Sequence, residues 1–452
     1  MRRRGVIALA ANDKVTGSTR GREVMITTDI YRGFVKTALV VALTVGATLG
    51  ALSLAAMGLA GTTWSTWRAL TEAHGVAQLL GWVGLFIMGI AYHVLPRLKA
   101  TELRARPLAI ASYWLILASI VLRLVGQPLA GVAPLGALVP LSAAAALVAA
   151  SLFAYVGIAT LTSNPRMADF YDRYIAASIV WFWLWTAAAL VLTLHQPGGA
   201  AGEAVHNAYL YVAMMGFAAM MIFGFTLRTV PAFMGLRAPN KAAFGVIWWA
   251  LNLGIAGHAA GSVWQGFDGP AAARALTVVA AAVEYAAILG FVYFLGIFAK
   301  PAISTAEAGA VRGYERFIKA GYAWLLAGAS MAFGYVLYQA ISGLAVPHSF
   351  ASAYRHAVTV GFISLMIMGM SSRIIPVFAG RRLHSPALLG VAFVLANLGN
   401  VLRVVAQPYA DLFGGPAFAV MGGSGFVGVA ALAIFAYNLW RTIDQRAAGA
   451  GQ

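Results

Sequence analysis

Long uninterrupted apolar blocks dominate the chain, and short polar segments separate them. Each block is about 20 residues or longer, the length at which an α-helix rising 1.5 Å per residue crosses a hydrocarbon layer about 30 Å thick. The pattern therefore predicts an all-α integral membrane protein with about 12 transmembrane helices. The predicted helices cover 34–60, 72–96, 107–129, 132–162, 171–194, 203–230, 241–264, 271–299, 314–343, 350–379, 386–409 and 413–440.

Composition supports the membrane assignment and excludes several functions. Hydrophobic residues make up 61% of the 452 residues and charged residues only 10%, so a water-soluble fold could not bury the apolar surface. The chain has no cysteine, which excludes disulfides, thiolate metal ligands and cysteine nucleophiles. Any redox metal must therefore be bound by histidine, methionine or oxygen ligands.

The net charge of +17 comes from basic residues that are distributed unequally between the two sides of a membrane, and it does not indicate a nucleic-acid site. Of the 31 Lys and Arg residues, 26 lie in or beside alternate connecting segments, and Arg68, Arg123, Arg274, Arg355 and Arg403 lie on the other side. The positive-inside rule then places both termini in the cytoplasm of a protein in the cell inner membrane. The expected partner is the lipid bilayer, and no nucleic acid is expected.

The expected domain organisation is one transmembrane domain between two short cytoplasmic tails. The tails cover 1–33 and 443–452, and the domain covers 34–442. The first long apolar run begins only near Phe34, which argues against a cleaved signal peptide.

An internal repeat divides the domain into three units of four helices. The segments GWVGLFIMGIAYHVLP from Gly81, GFAAMMIFGFTLRTVP from Gly216 and GFISLMIMGMSSRIIP from Gly361 align without gaps. We call these three glycines the anchor glycines, and in each segment a proline is expected to close the helix. A second alignment pairs IVLRLVGQP around Arg123 with NVLRVVAQP around Arg403 and places His258 at the same position. The repeats cover about 34–162, 171–299 and 314–440.

Three histidines precede the anchor glycines and are candidate ligands. His74, His206 and His356 lie seven, ten and five residues before them, which places all three in a layer about 7–8 Å deep. On a straight helix His74 and His206 would share a face, and His356 would point away from both. Membrane-embedded imidazoles are costly unless paired, so a metal site is favoured, with a hydrogen-bonded packing role as the alternative.

Further polar residues lie near the same layer. His258 could form a metal-binding pair with His206, or pack in the bundle. Arg123 and Arg403 could bind a carboxylate in a bidentate manner, or contact lipid headgroups. Glu284 with Tyr285 lies in the middle of helix 8, as part of a proton path or of a hydrogen bond between helices.

Twelve helices, threefold repeats and histidines on helices 2, 6, 7 and 10 resemble the catalytic subunits of haem-copper oxidases and nitric oxide reductases. The chain is more similar to NnrS-type proteins, a haem- and copper-containing membrane family linked to nitric oxide stress. The segments HNAYLYVAMMGFAAMMIFGFTLRTVPAFMGL from His206 and HAVTVGFISLMIMGMSSRIIPVFAGRRL from His356 carry this resemblance. The chain lacks the paired histidines that oxidases have on helices 7 and 10, which argues against proton-pumping oxygen reduction.

This resemblance implies a b-type haem held by His74 and His356, with Arg123 and Arg403 binding its propionates, and a copper or second haem near His206 and His258. It implies a redox protein linked to nitric oxide or to respiratory electron transfer, with respiratory subunits or a cytochrome donor as partners. If it is an enzyme, a haem-dependent oxidoreductase acting on NO or O2 is expected. The alternatives are a cofactor-free proton-coupled transporter that uses Glu284 and a non-catalytic haem-relay subunit of a respiratory complex.

Overall fold

Twelve long helices form the protein in a computed structural model that describes residues 30–60, 67–196, 202–267, 269, 271–302 and 313–445. All twelve are long and apolar enough to cross a membrane, and no β-strand occurs in these ranges, which confirms the predicted fold class. Most of the predicted tails, 1–29 and 446–452, lies outside the described residues. The helices are α1 Ile30–Ala60, α2 Trp67–Leu98, α3 Arg106–Gly126, α4 Leu135–Leu161, α5 Asp172–His195, α6 Glu203–Met234, α7 Lys241–Gly266, α8 Ala271–Leu295, α9 Tyr314–Ser342, α10 His348–Ala379, α11 Pro386–Phe413 and α12 Gly415–Asp444.

The helix ends differ from the predicted ones by a few residues. Helix α2 begins at Trp67 rather than at residue 72, and α8 ends at Leu295 rather than at residue 299. The prolines expected to close α2, α6 and α10 lie inside their last turns. A proline there removes only one hydrogen bond, and α6 and α10 end instead at Gly235 and Gly380, whose φ angles of 64° and 62° only glycine adopts easily.

Helices α2, α6 and α10 form the centre of the bundle. The most apolar stretch of α2 is completely buried, and those of α6 and α10 are 83% and 67% buried, against 28–44% in the other nine helices. The Trp82 indole N–H of α2 donates to the Ser364 hydroxyl of α10 at 3.1 Å. Large apolar side chains on the outer helices, such as Trp114, Tyr293 and Ile341, are exposed and suited to contact lipid acyl chains.

The anchor glycines let each central helix pack closely against the helix before it. Gly81 packs against Val41 of α1, Gly216 against Trp181 of α5 and Gly361 against Trp324 of α9. The two tryptophans are then held alike, because Trp181 donates to Asn252 at 2.9 Å and Trp324 donates to Asn397 at 3.0 Å. The tryptophan contact is thus shared by α6 and α10, and Val41 takes its place beside α2.

Each central helix contains a π-helical segment at the same place in its repeat. These segments cover Ala77–Gly84, Val212–Ala219 and Ala357–Ser364, and the anchor glycine is the fifth residue of each. A π-helical segment rotates the residues before it relative to those after it. The angles expected for straight helices therefore do not describe how His74, His206 and His356 are oriented.

Ion pairs tie the repeats together at the end of the bundle where α2, α6 and α10 finish. The fully buried Lys99 binds the Asp172 carboxylate and donates to the Met167 carbonyl at 2.9 Å. In the loop before α5, Asp169 pairs with Lys241 at 2.9 Å. Partial burial raises the pKa of Asp169, but the Lys241 ammonium together with a backbone N–H outweighs burial and holds that pKa below its usual value.

Candidate functional site

Three groups of polar side chains lie near the other end of the bundle, where α2, α6 and α10 begin, which we call the site end. Two of the groups contain a residue seven positions before one anchor glycine, a residue five positions before another, and the aligned residue of α7 or α11. The third group contains a residue seven positions before an anchor glycine and the aligned residue of α3. Cluster A contains Tyr209 and Arg123 with Glu72, cluster B contains Tyr354, Tyr211 and His258 with Glu284, and cluster C contains His74, His356 and Arg403.

Cluster C brings together two histidines from different repeats. His74 of α2 and His356 of α10 are close enough to interact electrostatically, and Arg403 of α11 acts on both. His74 lies seven residues before its anchor glycine and His356 five, so the two imidazoles that interact do not come from the same position of the repeat. The structure therefore places together the two histidines and one of the two arginines named as haem ligands from the sequence.

Both histidines are oriented in the same way by the backbone. The Nδ1 atom of His74 lies 2.8 Å from the Gly46 carbonyl oxygen, and that of His356 lies 2.8 Å from the Ser352 carbonyl oxygen. A carbonyl only accepts, so Nδ1 must carry the proton and Nε2 carries the lone pair in each neutral ring. Imidazoles that bind metals through Nε2 are oriented by this kind of bond.

The polar face of α11 beside these histidines is incompletely satisfied. Within the described ranges, Nε and Nη1 of Arg403 are buried without a hydrogen-bond partner, and none of the ion pairs there includes this side chain. Asn400 and Gln407, one turn on either side, also have buried side-chain atoms without a partner. Unpaired buried polar groups cost free energy, so this face has capacity for a polar or anionic ligand.

Cluster A differs because its arginine has internal partners. Arg123 acts on the Glu72 carboxylate of α2 and bonds to the Tyr209 hydroxyl of α6. Glu72 in turn lies 3.3 Å from Nδ1 of His206, measured from its Oε1 atom. Arg123 is thus in a different group from the two histidines with which the sequence analysis associated it.

Cluster B is less basic than clusters A and C, because His258 stands at the position where they have an arginine. The His258 ring packs against Tyr211 with 4.2 Å between ring centroids, and its Nδ1 is buried without a hydrogen-bond partner in the described ranges. Glu284 of α8 contacts the same tyrosine and is only 1% exposed. Tyr285, its neighbour in sequence, instead hydrogen-bonds to the Ser330 hydroxyl at 3.0 Å, toward α9. The predicted proton-path residues therefore face different surroundings.

The second predicted metal site, near His206 and His258, stays a prediction. His206 pairs with Glu72 at the site end, whereas His258 packs in cluster B, so the two imidazoles have different partners. Among the described residues, no group of three or more His, Asp or Glu side chains has an arrangement suited to a metal ion.

Twelve apolar helices, three of which form the buried centre, define the class of this chain, a multi-pass α-helical membrane protein whose outer face contacts lipid. Residues 264–445, from the end of α7 to the end of α12, match the family described as NnrS protein. This match confirms the predicted resemblance to NnrS-type proteins over that segment, which includes Glu284, His356 and Arg403. No curated protein matches the chain.

Proposed function

We propose that this protein is a haem-binding redox membrane protein that acts in nitric-oxide-related chemistry. The observation that carries the proposal is cluster C, where His74 and His356 interact and each neutral ring has its lone pair on Nε2. Beside them, Nε and Nη1 of Arg403 have no hydrogen-bond partner in the described ranges. The NnrS match supports the link to nitric oxide and to a membrane location.

The donor set of cluster C fits a haem. His74 and His356 would hold its iron through neutral imidazoles, and Arg403 would bind a propionate. A bound haem supplies one-electron chemistry. The protein's own contributions are to fix the two imidazoles through the Gly46 and Ser352 carbonyls and to neutralise the propionate.

The test is the visible and electron paramagnetic resonance spectrum of protein purified from cells with adequate haem supply. We expect a low-spin haem whose spectrum changes or disappears in His74→Ala and in His356→Ala. His93→Ala is the control, because His93 packs between Tyr31 and Phe378 and lies about 28 Å along α2 from His74. Unchanged spectra in both ligand variants would contradict the assignment.

The nitric oxide link needs a separate measurement. We expect the chemically reduced protein in proteoliposomes to consume NO at an electrode, and His356→Ala to lose most of this rate. Haem binding without any NO consumption would instead favour a haem-relay subunit, which would pass electrons to a respiratory partner. The copper predicted at His206 and His258 is tested by metal analysis of the same preparations, with His258→Ala expected to lower the copper content.

A further inference from the structure

A small cavity lies inside the bundle between α6, α8, α9 and α10. Met214 and Met215 of α6 line it together with Ile288 of α8, and α9 and α10 contribute the other side chains. Of the ten described residues in this lining, only Tyr211 and Tyr354 carry a hydroxyl group. The cavity is therefore an almost entirely apolar space between helices of the second and third repeats.

Size and chemistry limit what this cavity can hold. Its volume of about 10 Å³ is close to the minimum that accommodates one molecule of the size of water. A buried water typically makes about three hydrogen bonds, and the side chains of the lining offer two hydroxyl groups at most. Apolar cavities stay free of water and bind apolar molecules instead. An uncharged diatomic gas has the size and the polarity that suit this cavity.

Small residues on α9 leave room for the cavity. Gly328, Ala329 and Ala332 all belong to its lining. A Cβ atom added at Gly328 would lie 2.7 Å from Cγ2 of Val358, so α9 and α10 are in close contact beside the cavity. The methionine side chains on α6 are unbranched and flexible, so the lining can adjust to an occupant.

The cavity adjoins groups that lie at the site end. Its two tyrosines belong to cluster B, and the centroid of the Tyr211 ring is 4.2 Å from that of His258. On α10, the lining residues Tyr354 and Val358 lie two residues before and two residues after His356. A molecule in the cavity would therefore lie beside the helical turn that carries a proposed haem ligand.

We propose that this cavity binds one molecule of an uncharged diatomic gas and holds it next to the haem site. The inference deepens the proposed function and rests on it for one point, the identity of the gas as NO. Binding forms no covalent bond. It is stabilised by transfer of an apolar molecule from water or lipid into contact with apolar side chains.

Molecular oxygen is the probe, because it is a diatomic gas whose paramagnetism broadens the nuclear magnetic resonance signals of groups that it contacts. The oxidised full chain in nanodiscs, with isotope-labelled methionine methyl groups, is compared under oxygen and under nitrogen. We expect oxygen to broaden the signals of Met214 and Met215 more than that of Met220. Met220 is the internal control, because it lies on the same helix and is fully buried but does not line the cavity. Equal broadening of the three signals would overturn the gas site.

Filling the cavity tests where the gas binds. Ala329→Leu and Ala332→Leu each place a larger side chain at the lining, and we expect the extra broadening of Met214 and Met215 to be lost. Ala327→Leu is the matched control, because this alanine is exposed on the same helix, and it should behave as the wild type. Extra broadening that persists in both filled variants would overturn the assignment to this cavity. Two separate variants keep the test decisive if one of them folds poorly.

The rate of NO consumption separates this inference from the proposed function. We expect both filled variants to consume NO more slowly than the wild type at low NO and equally fast at saturating NO, because the cavity supplies gas but no ligand to the iron. Wild-type rates at low NO in both variants would overturn the cavity as the NO site. A wild type that consumes no NO would contradict the proposed function, and with it the identity of the gas, whereas the oxygen measurement requires neither haem nor turnover.

Discussion

Replacing Gly50 by alanine should disturb the proposed haem site without removing a ligand. This glycine of α1 lies against the His74 ring, and a Cβ atom there would be 2.7 Å from Cε1 and 2.9 Å from Nδ1. Non-bonded carbon atoms prefer a separation of about 3.5–4.0 Å, so the ring must move by about 1 Å. That displacement weakens or breaks the 2.8 Å bond between His74 Nδ1 and the Gly46 carbonyl.

Loss of an orienting hydrogen bond typically lowers the affinity of a metal site by about 10–100-fold. We therefore expect Gly50→Ala to bind haem about 10–100-fold more weakly than the wild type, which corresponds to about 1.4–2.8 kcal/mol. The assay is an absorbance titration of apo-protein with haem in detergent, accompanied by a paramagnetic resonance spectrum of the low-spin iron.

Gly75→Ala is the control, because this glycine is adjacent to His74 in α2 but has no heavy atom within 4 Å of an added Cβ. Its haem affinity should equal that of the wild type. If Gly50→Ala binds haem with the wild-type affinity and spectrum, His74 does not hold the iron from the position it has in this structure, and the assignment of this ligand is refuted.

Other predictions address charge in the bundle. Arg403→Met should leave the apo-protein at least as thermally stable as the wild type. It should weaken haem binding about tenfold or more, since a hydrogen bond to a charged group contributes about 1.5–3 kcal/mol. A lower melting temperature of the apo-protein, or an unchanged haem affinity, would contradict this prediction. Arg123→Met, at the equivalent position, should lower the melting temperature and leave haem affinity unchanged. Lys99→Met should destabilise the protein by about 3–5 kcal/mol, because the Asp172 carboxylate loses its buried partner, and Lys99→Met with Asp172→Leu should recover most of this loss in equilibrium unfolding. The pKa of Asp169 is lower in the folded protein than in the unfolded chain, where it is about 3.9. Its ionised carboxylate therefore stabilises the fold at pH values above about 3.9, and this stabilisation is lost as the pH falls through the folded-state pKa. Asp169→Asn should thus make the melting temperature less dependent on pH in that acidic range.

The sequence was sufficient to predict the twelve helices because a hydrocarbon layer requires long apolar segments, and the hydropathy of the sequence identifies such segments directly. That α2, α6 and α10 form the centre of the bundle was not predicted, although the anchor glycines on these helices are the positions where Val41, Trp181 and Trp324 pack closely. Helix ends were less certain, because the last turn of α2, α6 and α10 accommodates a proline that the sequence analysis read as a stop.

The pairing of site residues could not be obtained from angles along single helices. The π-helical segments begin after the histidines and contain the anchor glycines, and partners come from different repeats, so His74 meets His356 and not His206. A usable signal was nevertheless present. Among the residues seven and five positions before the anchor glycines, the two histidines are His74 and His356, which form cluster C. The same comparison identifies Tyr354 and Tyr211, which were not predicted as site residues.

Charge balance explains why one of three equivalent positions is the best candidate for a ligand. In cluster A the arginine acts on the Glu72 carboxylate, so its charge is already compensated within the protein. In cluster B the aligned residue is His258, which can be neutral. Arg403 in cluster C combines a permanent charge with two buried nitrogens, Nε and Nη1, that lack a partner in the described ranges, whereas Arg123 has one such nitrogen, its Nε. A buried guanidinium in that situation is stabilised most by an anionic ligand, and the two imidazoles beside it favour one that also carries a metal.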